Sequence, residues 1–231
     1  MIGGQQNVFI FIGPPGSGKG SISSLCTEKF GWKQLSTGNL CRKHIARQTK
    51  IGKEIDFAIK SGKLVSDSLI TGMVIDWFMQ MGDQDGITIL DGFPRTRAQA
   101  ESFNELLEQQ LDHLKLHVIR FGIRDESIIA RLCGRYICQN KECQAVYSLL
   151  PGSALAPQCE NVCDKCGMVI GRRKDDEENA VRERLEIYHR HEKQLLDFYR
   201  QIERHIHEID ADKSLHHVFE DFKSVVGLDL V

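Results

Sequence analysis

The chain has 231 residues, of which 41% are hydrophobic and 27% are charged, a composition typical of a globular protein. This length suits one large domain, or one domain with a small insertion. The formal net charge of −2 leaves no general positive field to attract nucleic acid or anionic lipid, so any anion site must be built from locally clustered Lys and Arg.

Two features of the sequence predict a cytoplasmic protein. No run approaches the ~18 consecutive apolar residues that a membrane span needs. The first residues, MIGGQQNVFIFIG, lack the basic start and the cleavage site of a signal peptide. Eight cysteines are present, and five of them fall between Cys138 and Cys166. In a reducing compartment such a cluster indicates a metal site before disulfide bonds.

The first part of the chain alternates predicted strands and helices. A buried strand at 8–13 is followed at once by a loop rich in Gly and Pro and by a helix at 18–30. The elements predicted next are a weaker strand at 32–35, a helical region at 38–81 with breaks near Gly52 and at 61–62, a strand at 87–93, a helix at 97–110, a strand at 114–123 and a helix at 125–134. This alternation predicts an α/β fold with a parallel sheet and helices on both faces.

The alternation stops near Arg135. The segment 136–172 is polar, turn-rich and Cys-rich, which predicts an insert of ~35–40 residues, too small for a core of its own. Helix resumes over 175–203 with Asp175 or Asp176 as the predicted N-cap. A short strand at 205–210 and a helix at 214–226 follow.

The loop at 13–21, GPPGSGKGS, has the features of a phosphate site. Between a strand and a helix, several backbone N–H groups point into one concavity, and Gly16, Gly18 and Gly20 permit the close approach that a Cβ would block. The helix N-terminus and Lys19 add positive charge. The loop therefore predicts polyphosphate binding, with a plain tight turn as the alternative. Its hydroxyl comes one position later than in the usual G-x-x-x-x-G-K-[ST] pattern.

Further motifs show that the chain resembles the adenylate kinases over nearly its whole length. In family order these are GPPGSGKGS (13–21), LSTGNLCR (35–42), GKLVSD (62–67), DGFPRTRAQA (91–100), RLCGR (131–135) and GRRKDDEENAVRERL (171–185). The late hydroxyl is a feature of that family. The resemblance implies a P-loop nucleoside monophosphate kinase fold, with a central parallel five-stranded sheet flanked by helices and a small inserted zinc-binding lid. It also implies reversible phosphoryl transfer from ATP to AMP, giving two ADP.

The resemblance also implies a division of the chain. A core would comprise 1–134 and 173–231, including an AMP-binding helical flap at about 36–74. An inserted lid at 135–172 would close over the phosphates and exclude water. The enzyme would be a monomer that uses Mg²⁺ with ATP.

Transfer between two nucleotides needs alignment and charge neutralisation but no general base, because the acceptor phosphate oxygen is already anionic. The resemblance implies catalytic roles for Lys19, Arg95, Arg135, Arg173, Arg184 and Asp91. ATP would be held by Gly16, Ser17, Gly18, Lys19, Gly20, Ser21, Arg131, Arg135, Val146, Tyr147 and Lys213. AMP would be held by Thr37, Arg42, Lys63, Leu64, Val65, Gly92, Phe93, Pro94, Arg95, Gln99, Arg173 and Arg184.

Asp91 closes the strand at 87–93, at the edge where ligands bind in open α/β sheets. The resemblance implies that it orients Mg²⁺ through bound water, which this ion keeps readily. A capping role is the alternative. Asn39 stands where most relatives have Asp, so a secondary contribution to metal positioning is in doubt. Arg182 lies two residues from the matching Arg184 and is interpreted as structural.

The insert contains two cysteine pairs, Cys138 with Cys143 and, after 19 further residues, Cys163 with Cys166. This spacing is typical of a four-thiolate zinc site. Cys159 is an alternative ligand, less favoured because a Cys-x-x-Cys pair binds one ion without strain. Disulfides are a second alternative, disfavoured by the compartment. The resemblance to adenylate kinases with a metal in the lid implies structural Zn²⁺, which would substitute for a core.

Two other functions remain open from the sequence. One is a kinase that uses another nucleoside monophosphate or GTP, although Gln99 and Thr37 match the AMP pocket of the family. The other is a non-catalytic nucleotide-sensing or zinc-ribbon module. The full arginine set with Asp91 argues against it, because a pure binder needs no clamp at a transfer centre.

Overall fold

The structure is a computed structural model that describes residues 7–60, 65–81, 86–110 and 114–228. Its strands are β1 (Asn7–Ile12), β2 (Lys33–Ser36), β3 (Ile87–Asp91), β4 (Lys115–Gly122), β5 (Arg135–Cys138), β6 (Val146–Ser148), β7 (Ile170–Gly171) and β8 (Ile206–Asp210). Its helices are α1 (Lys19–Phe30), α2 (Thr37–Ala46), α3 (Lys50–Lys60), α4 (Asp67–Met81), α5 (Arg97–Gln110), α6 (Asp125–Cys133), α7 (Glu178–Gln201) and α8 (Leu215–Val226). Among these described residues, none of the helices combines the length and the apolar character needed to cross a membrane.

The central sheet has five parallel strands, as predicted, and their order is β2-β3-β1-β4-β8. Parallel sheets are covered on both faces, so their strands are continuous apolar runs rather than alternating ones. The central strand β1, NVFIFI, is accordingly buried at every position. Phe11 of β1 pairs with Asp91 of β3, which places the glycine loop beside the carboxylate that ends β3.

Successive side chains of β1 point to opposite faces of the sheet and enter two separate apolar cores. Val8, Ile10 and Ile12 lie in the core covered by α4, α5 and α7. Phe9 and Phe11 lie in the other core, with side chains of α1 and α8. The sheet thus holds the carboxyl ends of its strands at one rigid edge.

Among its described residues, the predicted helical region at 38–81 contains three helices, and its first break lies at 47–49, close to the position predicted near Gly52. Gly52 is instead inside α3, where a Cβ would lie 2.0 Å from the backbone oxygen of His44. The glycine is needed for the close packing of α3 on α2 and is not itself the break, which lies directly before α3. The second predicted break, at 61–62, lies outside the described residues.

The start of α7 also differs from the prediction. A 3₁₀ turn, Lys174–Asp176, precedes the helix, and the N-cap position falls at Glu177. The predicted cap at Asp175 or Asp176 was therefore wrong. The physical reason is that the Asp176 carboxylate pairs with an arginine and is not available to the helix N-terminus.

A second, antiparallel sheet in the order β6-β5-β7 lies between α6 and α7 in the chain. Its buried side chains form a small cluster of their own: Cys138, Tyr147, Cys163 and Ile170. Half of that cluster is cysteine, which agrees with the expectation that this segment is too small for an ordinary apolar core.

Candidate active site and four-cysteine metal centre

The glycine loop connects β1 to α1, and its backbone geometry suits the binding of an anion by main-chain N–H groups. Gly16 and Gly18 have φ values of 83° and 92°, in the left-handed region that favours glycine. A Cβ on Gly16 would lie 2.8 Å from Leu132 Cγ. A Cβ on Gly20 would lie 3.4 Å from Asp91 Oδ2, so the loop and the end of β3 face each other.

Lys19 folds back over this loop. Its Nζ donates to the backbone oxygens of Gly13 and Pro14, both at 2.7 Å, and to Ser17 Oγ at 3.0 Å. The side chain is only 8% exposed. The ammonium is therefore held at the loop by neutral hydrogen-bond acceptors. The oxygens of a bound anion could take the place of these acceptors.

Several predicted site residues act electrostatically on Lys19. Burial lowers the pKa of Lys19 to about 8. The carboxylate of Asp91 opposes this shift, whereas the positive charges of Arg95, Arg184 and Arg135 add to it. The structure thus brings these four side chains to one region around the loop, although they come from β3, from the segment after it, from β5 and from α7.

We call this region around the glycine loop the cleft. Arginines within it and next to Arg135 also have lowered pKa values. Burial is the main cause for Arg42, Arg173 and Arg184, and the charge of Arg135 lowers the pKa further in each case. The pKa of Arg173 falls to about 10. Its Nε is buried without a hydrogen-bond partner in the part of the chain that the structure describes. Crowded and partly unsatisfied cations of this kind favour a highly charged anion in the cleft.

The carboxylate of Asp176 orients two of these arginines, a role that the sequence analysis missed. Asp176 is fully buried and accepts from Arg135 Nε at 2.8 Å and from Arg135 Nη2 at 2.5 Å. Arg184 Nη1 donates to the backbone oxygen of Asp175 at 2.7 Å and lies 3.5 Å from Asp176 Oδ1. The available signal was the pair of acids directly after the basic GRRK segment, since buried cations need a counter-charge.

A second pocket forms where α2 meets the loop after β3. Thr37 Oγ1 and Arg95 Nε both donate to the Gly92 backbone oxygen, at 2.7 and 2.9 Å. The Arg95 backbone N–H donates to Gln99 Oε1 at 2.8 Å, and Gln99 Nε2 donates to Asp67 Oδ1 at 2.7 Å. A Cβ on Gly92 would lie 3.0 Å from Thr37 Oγ1 and from Arg95 Nη2, so glycine lets the two side chains meet. Asp67, which orients Gln99, had no predicted role.

The remaining residues predicted for this pocket differ in their accessibility. Phe93 is fully buried, so its ring belongs to the core, and Pro94 follows it in the loop that leads to Arg95. Val65 is half-buried. Lys63 and Leu64 lie outside the described residues.

Arg42 joins the second pocket to the insert. Its Nε donates to Gln144 Oε1 at 3.0 Å, and its Nη2 donates to Asn39 Oδ1. Lys43 of the same helix and Arg47, the residue that caps its C-terminus, lie 3.8 and 3.5 Å from the carboxylate of Glu142. Asn39 therefore accepts a hydrogen bond from an arginine. Through Arg42, α2 also contacts the segment between β5 and β6.

On the far side of the glycine loop, Arg131 reaches the segment after β8. Its Nη2 donates to the backbone oxygens of Lys213 and Asp212, at 3.2 and 3.3 Å. Lys213 Nζ donates to Asp221 at 2.7 Å. Val146 is 39% exposed, so its side chain is accessible.

Four cysteine side chains converge in the insert: Cys138, Cys143, Cys163 and Cys166. Their sulfurs all lie within 4.8 Å of one another, with 3.4 Å between Cys138 and Cys166 and 3.7 Å between Cys143 and Cys163. Tetrahedral zinc with Zn–S bonds of ~2.3 Å requires sulfurs ~3.8 Å apart. The set therefore fits a four-thiolate metal ion. Cys159 is exposed and is not part of the group.

Hydrogen bonds to the sulfur of Cys163 stabilise its thiolate form. Burial opposes its ionisation, but the Tyr147 hydroxyl and the backbone N–H groups of Lys165 and Cys166 donate to its sulfur and lower its pKa to about 6. Burial, followed by the bond to Cys163, raises the pKa of Tyr147 to about 12. The hydroxyl of Tyr147 thus keeps its proton and remains a donor at neutral pH.

In chemical terms, the cleft has two groups of polar and cationic side chains, and the charges of Arg95, Arg135 and Arg184 act on Lys19. Lys19 and the loop form one group, and Thr37 with Arg95 forms the other. The residues described in the cleft provide charge neutralisation and alignment, which is what transfer of a phosphoryl group between two phosphates requires.

Comparison with known proteins identifies the family. The model of the family described as "Adenylate kinase" matches residues 11–204. The chain is 36% identical to the adenylate kinase of Archaeoglobus fulgidus over 217 residues, which cover 94% of this chain and 96% of that protein. It is 38% identical to the adenylate kinase of Bacillus licheniformis over 221 residues, which cover 94% and 97% of the two chains. A family model that spans most of the chain and relatives of this similarity lead to one conclusion: the chain belongs to the adenylate kinase family.

Proposed function

We propose that these two groups of side chains form pockets that hold ATP and AMP end to end, and that the cations between them carry the reaction. As a member of the adenylate kinase family, the chain catalyses the reversible transfer of a phosphoryl group from ATP to AMP, giving two ADP. The assignment of the site depends on one observation: Asp91, Arg95, Arg135 and Arg184 all act electrostatically on the buried ammonium of Lys19.

ATP binds at the glycine loop in this proposal. The backbone N–H groups of 16–21 hold its phosphates together with Lys19, whose Nζ exchanges its present bonds to backbone oxygens for phosphate oxygens. The adenine lies beside Arg131 and Lys213, whose segments are already joined by hydrogen bonds. Val146 and Tyr147 border the adenine on the same side. Tyr147 would do so through its backbone, because its hydroxyl is hydrogen-bonded to Cys163.

AMP binds in the pocket between α2 and the loop after β3. Thr37 and Gln99 are only 4% exposed each and are fixed by hydrogen bonds, which suits them to recognise a base and not merely a charge. Arg42 and Arg95 face the phosphate of AMP. Their planar guanidinium groups suit bidentate contacts with phosphate oxygens.

The transferred group lies between the pockets, where Arg135, Arg173 and Arg184 neutralise it. Asp176 holds Arg135 in place through two hydrogen bonds, so little reorganisation is needed when charge moves from one nucleotide to the other. The unpaired Nε of Arg173 is free to donate to the migrating group, within the part of the chain that the structure describes. No proton has to be removed from the acceptor oxygen, which explains why a cluster of cations suffices.

Mg²⁺ bound with ATP supplies further charge neutralisation and aligns the phosphates. Asp91 is the residue that would hold it, through water, because its carboxylate faces Gly20 of the loop and adds a negative charge beside Lys19. Asn39 is engaged with Arg42 and would contribute little.

Zn²⁺ is the ion proposed for the four cysteines. Four thiolates complete a tetrahedral site and leave no open position, so its role is structural. The insert would then act as a lid over the phosphates, attached to the core near Arg135 and Arg173. We also propose that the protein is a cytoplasmic monomer.

A coupled assay of ADP formation tests the reaction and the substrate preference together. With ATP as donor we expect turnover with AMP to exceed that with CMP, UMP and GMP, and GTP to be the poorer donor. A preference for another nucleotide would contradict the AMP assignment. Tight nucleotide binding without ADP production would instead favour the non-catalytic module.

Substitutions test the cation ring. Lys19→Ala and Arg95→Ala are expected to lower turnover by about two orders of magnitude or more, because each removes a charge from the transfer centre, while far-UV circular dichroism stays unchanged. Arg182→Ala is the matched control, since Arg182 lies on the same helix as Arg184 but pairs with the exposed Glu178. Near-normal activity of either cleft variant would contradict the proposed role of the residue it removes.

A further inference from the structure

The hydroxyl of Tyr147 lies between two groups of the second cysteine pair. It accepts a hydrogen bond from the backbone N–H of Asp164 at 2.7 Å and donates to Cys163 Sγ at 3.3 Å. A hydroxyl has one proton, and the backbone N–H must occupy one of its lone pairs. The hydroxyl proton is then directed to the sulfur of Cys163, and a thiolate there, which carries no proton, can only be the acceptor.

Tyr147 also bridges the two halves of the cysteine site. It lies on β6, which pairs with β5, the strand that ends at Cys138. Cys163 and Asp164, by contrast, belong to the turn that contains the second pair of cysteines. Because the ring is 5% exposed and packed among the cysteines, it has little freedom to move.

From this geometry we propose that Tyr147 is a positioning residue for the zinc centre. It fixes the sulfur of Cys163 at the distance from the first cysteine pair that a tetrahedral ion needs, and its hydrogen bond tunes the charge of that thiolate. This inference rests on the proposed four-thiolate zinc site. It assigns to the Tyr147 side chain a role separate from any contact of its backbone with ATP.

Outer hydrogen bonds to metal ligands commonly contribute 10–100-fold to metal affinity. We therefore expect Tyr147→Phe to weaken zinc binding by about 10–100-fold in the full-length protein, measured by competition with a chromophoric chelator. The cobalt-substituted variant should also show its sulfur-to-metal charge-transfer band at lower energy than wild type. The reason is that a thiolate without a hydrogen bond gives up electron density more easily.

Tyr136 provides a matched control. It pairs directly with Tyr147 across the two strands and packs against the same cluster, but the bond to Cys163 comes from Tyr147. Tyr136→Phe should retain the zinc affinity and the cobalt spectrum of wild type. Circular dichroism of both variants checks that the fold is retained.

The outcomes separate this inference from the zinc proposal itself. If wild type binds zinc but Tyr147→Phe matches Tyr136→Phe in affinity within about two-fold and its cobalt band does not move, the positioning role is wrong and the zinc site stands. If wild type takes up no zinc and gives no four-thiolate cobalt spectrum, both proposals fail.

Discussion

At the scale of single residues, the cleft depends on acids as much as on the cations that line it. Asp176 is fully buried and pairs with Arg135, and it lies 3.5 Å from a nitrogen of Arg184. Its neighbour Asp175 also pairs with Arg184, but the side chain of Asp175 is 53% exposed. A buried ion pair that loses one partner leaves an uncompensated charge, whereas an exposed pair contributes little.

This difference predicts unequal effects of the same substitution at adjacent positions. Asp176→Asn is expected to lower the free energy of unfolding by about 2–4 kcal/mol and to lower turnover, because Arg135 loses the charge that orients it. Asp175→Asn should cost less than about 1 kcal/mol, since water already screens its carboxylate. Urea denaturation and the coupled assay measure both. Equal effects of the two substitutions would contradict the orienting role of Asp176.

The lowered pKa of Lys19 predicts proton uptake on ligand binding. With a pKa of about 8, most of the Lys19 side chain in the free protein is neutral at pH 8.5. A polyphosphate next to Nζ raises the pKa again and restores the charge. Binding of a non-hydrolysable conjugate of ATP and AMP at pH 8.5 should therefore take up more than about half a proton per chain.

Isothermal titration calorimetry in two buffers of different ionisation enthalpy measures this uptake. It should disappear in Lys19→Met and persist in Lys29→Met, which changes an exposed lysine at the other end of the same helix. Equal proton uptake by the two variants would mean that another group titrates.

The sequence was sufficient to predict the cations of the cleft but not the groups that orient them. Lys19 lies in a glycine-rich loop whose backbone pattern and charge predict phosphate binding, and Arg95 lies in a motif that resembles the adenylate kinases. Asp176 contacts Arg135 across 41 positions of the chain, and Tyr147 contacts Cys163 across 16. Such pairs depend on how separate segments meet in three dimensions, which local spacing does not determine.

At the scale of elements, apolar patterns predicted the framework well. The predicted helix at 97–110 coincides with α5, and the predicted strand at 114–123 differs from β4 by one residue at each end. The errors came from residues with two common roles. The break predicted near Gly52 lies at 47–49 while the glycine itself serves close packing, and Asp176 was interpreted as a cap but pairs with an arginine.

Two glycines in neighbouring helices predict opposite responses to alanine. A methyl at Gly52 would lie 2.0 Å from the backbone oxygen of His44, whereas nothing lies within 4 Å of a methyl at Gly72 in α4. Gly52→Ala must push α3 away from α2 and should destabilise the protein by about 1–3 kcal/mol. Gly72→Ala should stabilise it by about 0.5–1 kcal/mol, because alanine favours the helix at an open site.

Thermal or urea unfolding distinguishes the two glycine variants. Gly52→Ala should also raise the KM for AMP more than that for ATP, because α2 carries Thr37 and Arg42. Stabilisation by Gly52→Ala, or an equal rise of both KM values, would contradict close packing of α3 on α2 as the reason for this glycine.

At the scale of the whole molecule, the insert at 135–172 contacts two separate regions of the rest of the chain, one at α2 and one at α1. Gln144 bonds to Arg42 of α2 and Glu142 pairs with Arg47 directly after that helix, while Lys165 forms an ion pair with Glu28 on α1. The ion pairs are exposed, so each contributes little to stability and would break readily if the insert moved. The two main cores flank the central sheet and contain no side chain from 135–172 among the residues that the structure describes. The insert can therefore loosen without loss of either core.

Metal removal tests this separation. A strong chelator should make the segment 139–171 sensitive to protease and lower turnover, since the insert carries Gln144 and borders Arg135 and Arg173. The far-UV spectrum should change little, because the central sheet and its helices retain their cores. Cys166→Ser should reproduce the effect in zinc-containing buffer. Cys159→Ser, which changes an exposed cysteine outside the cluster, should behave as wild type. Cleavage that begins in the core, or full activity without metal, would show that the ion does not support the lid.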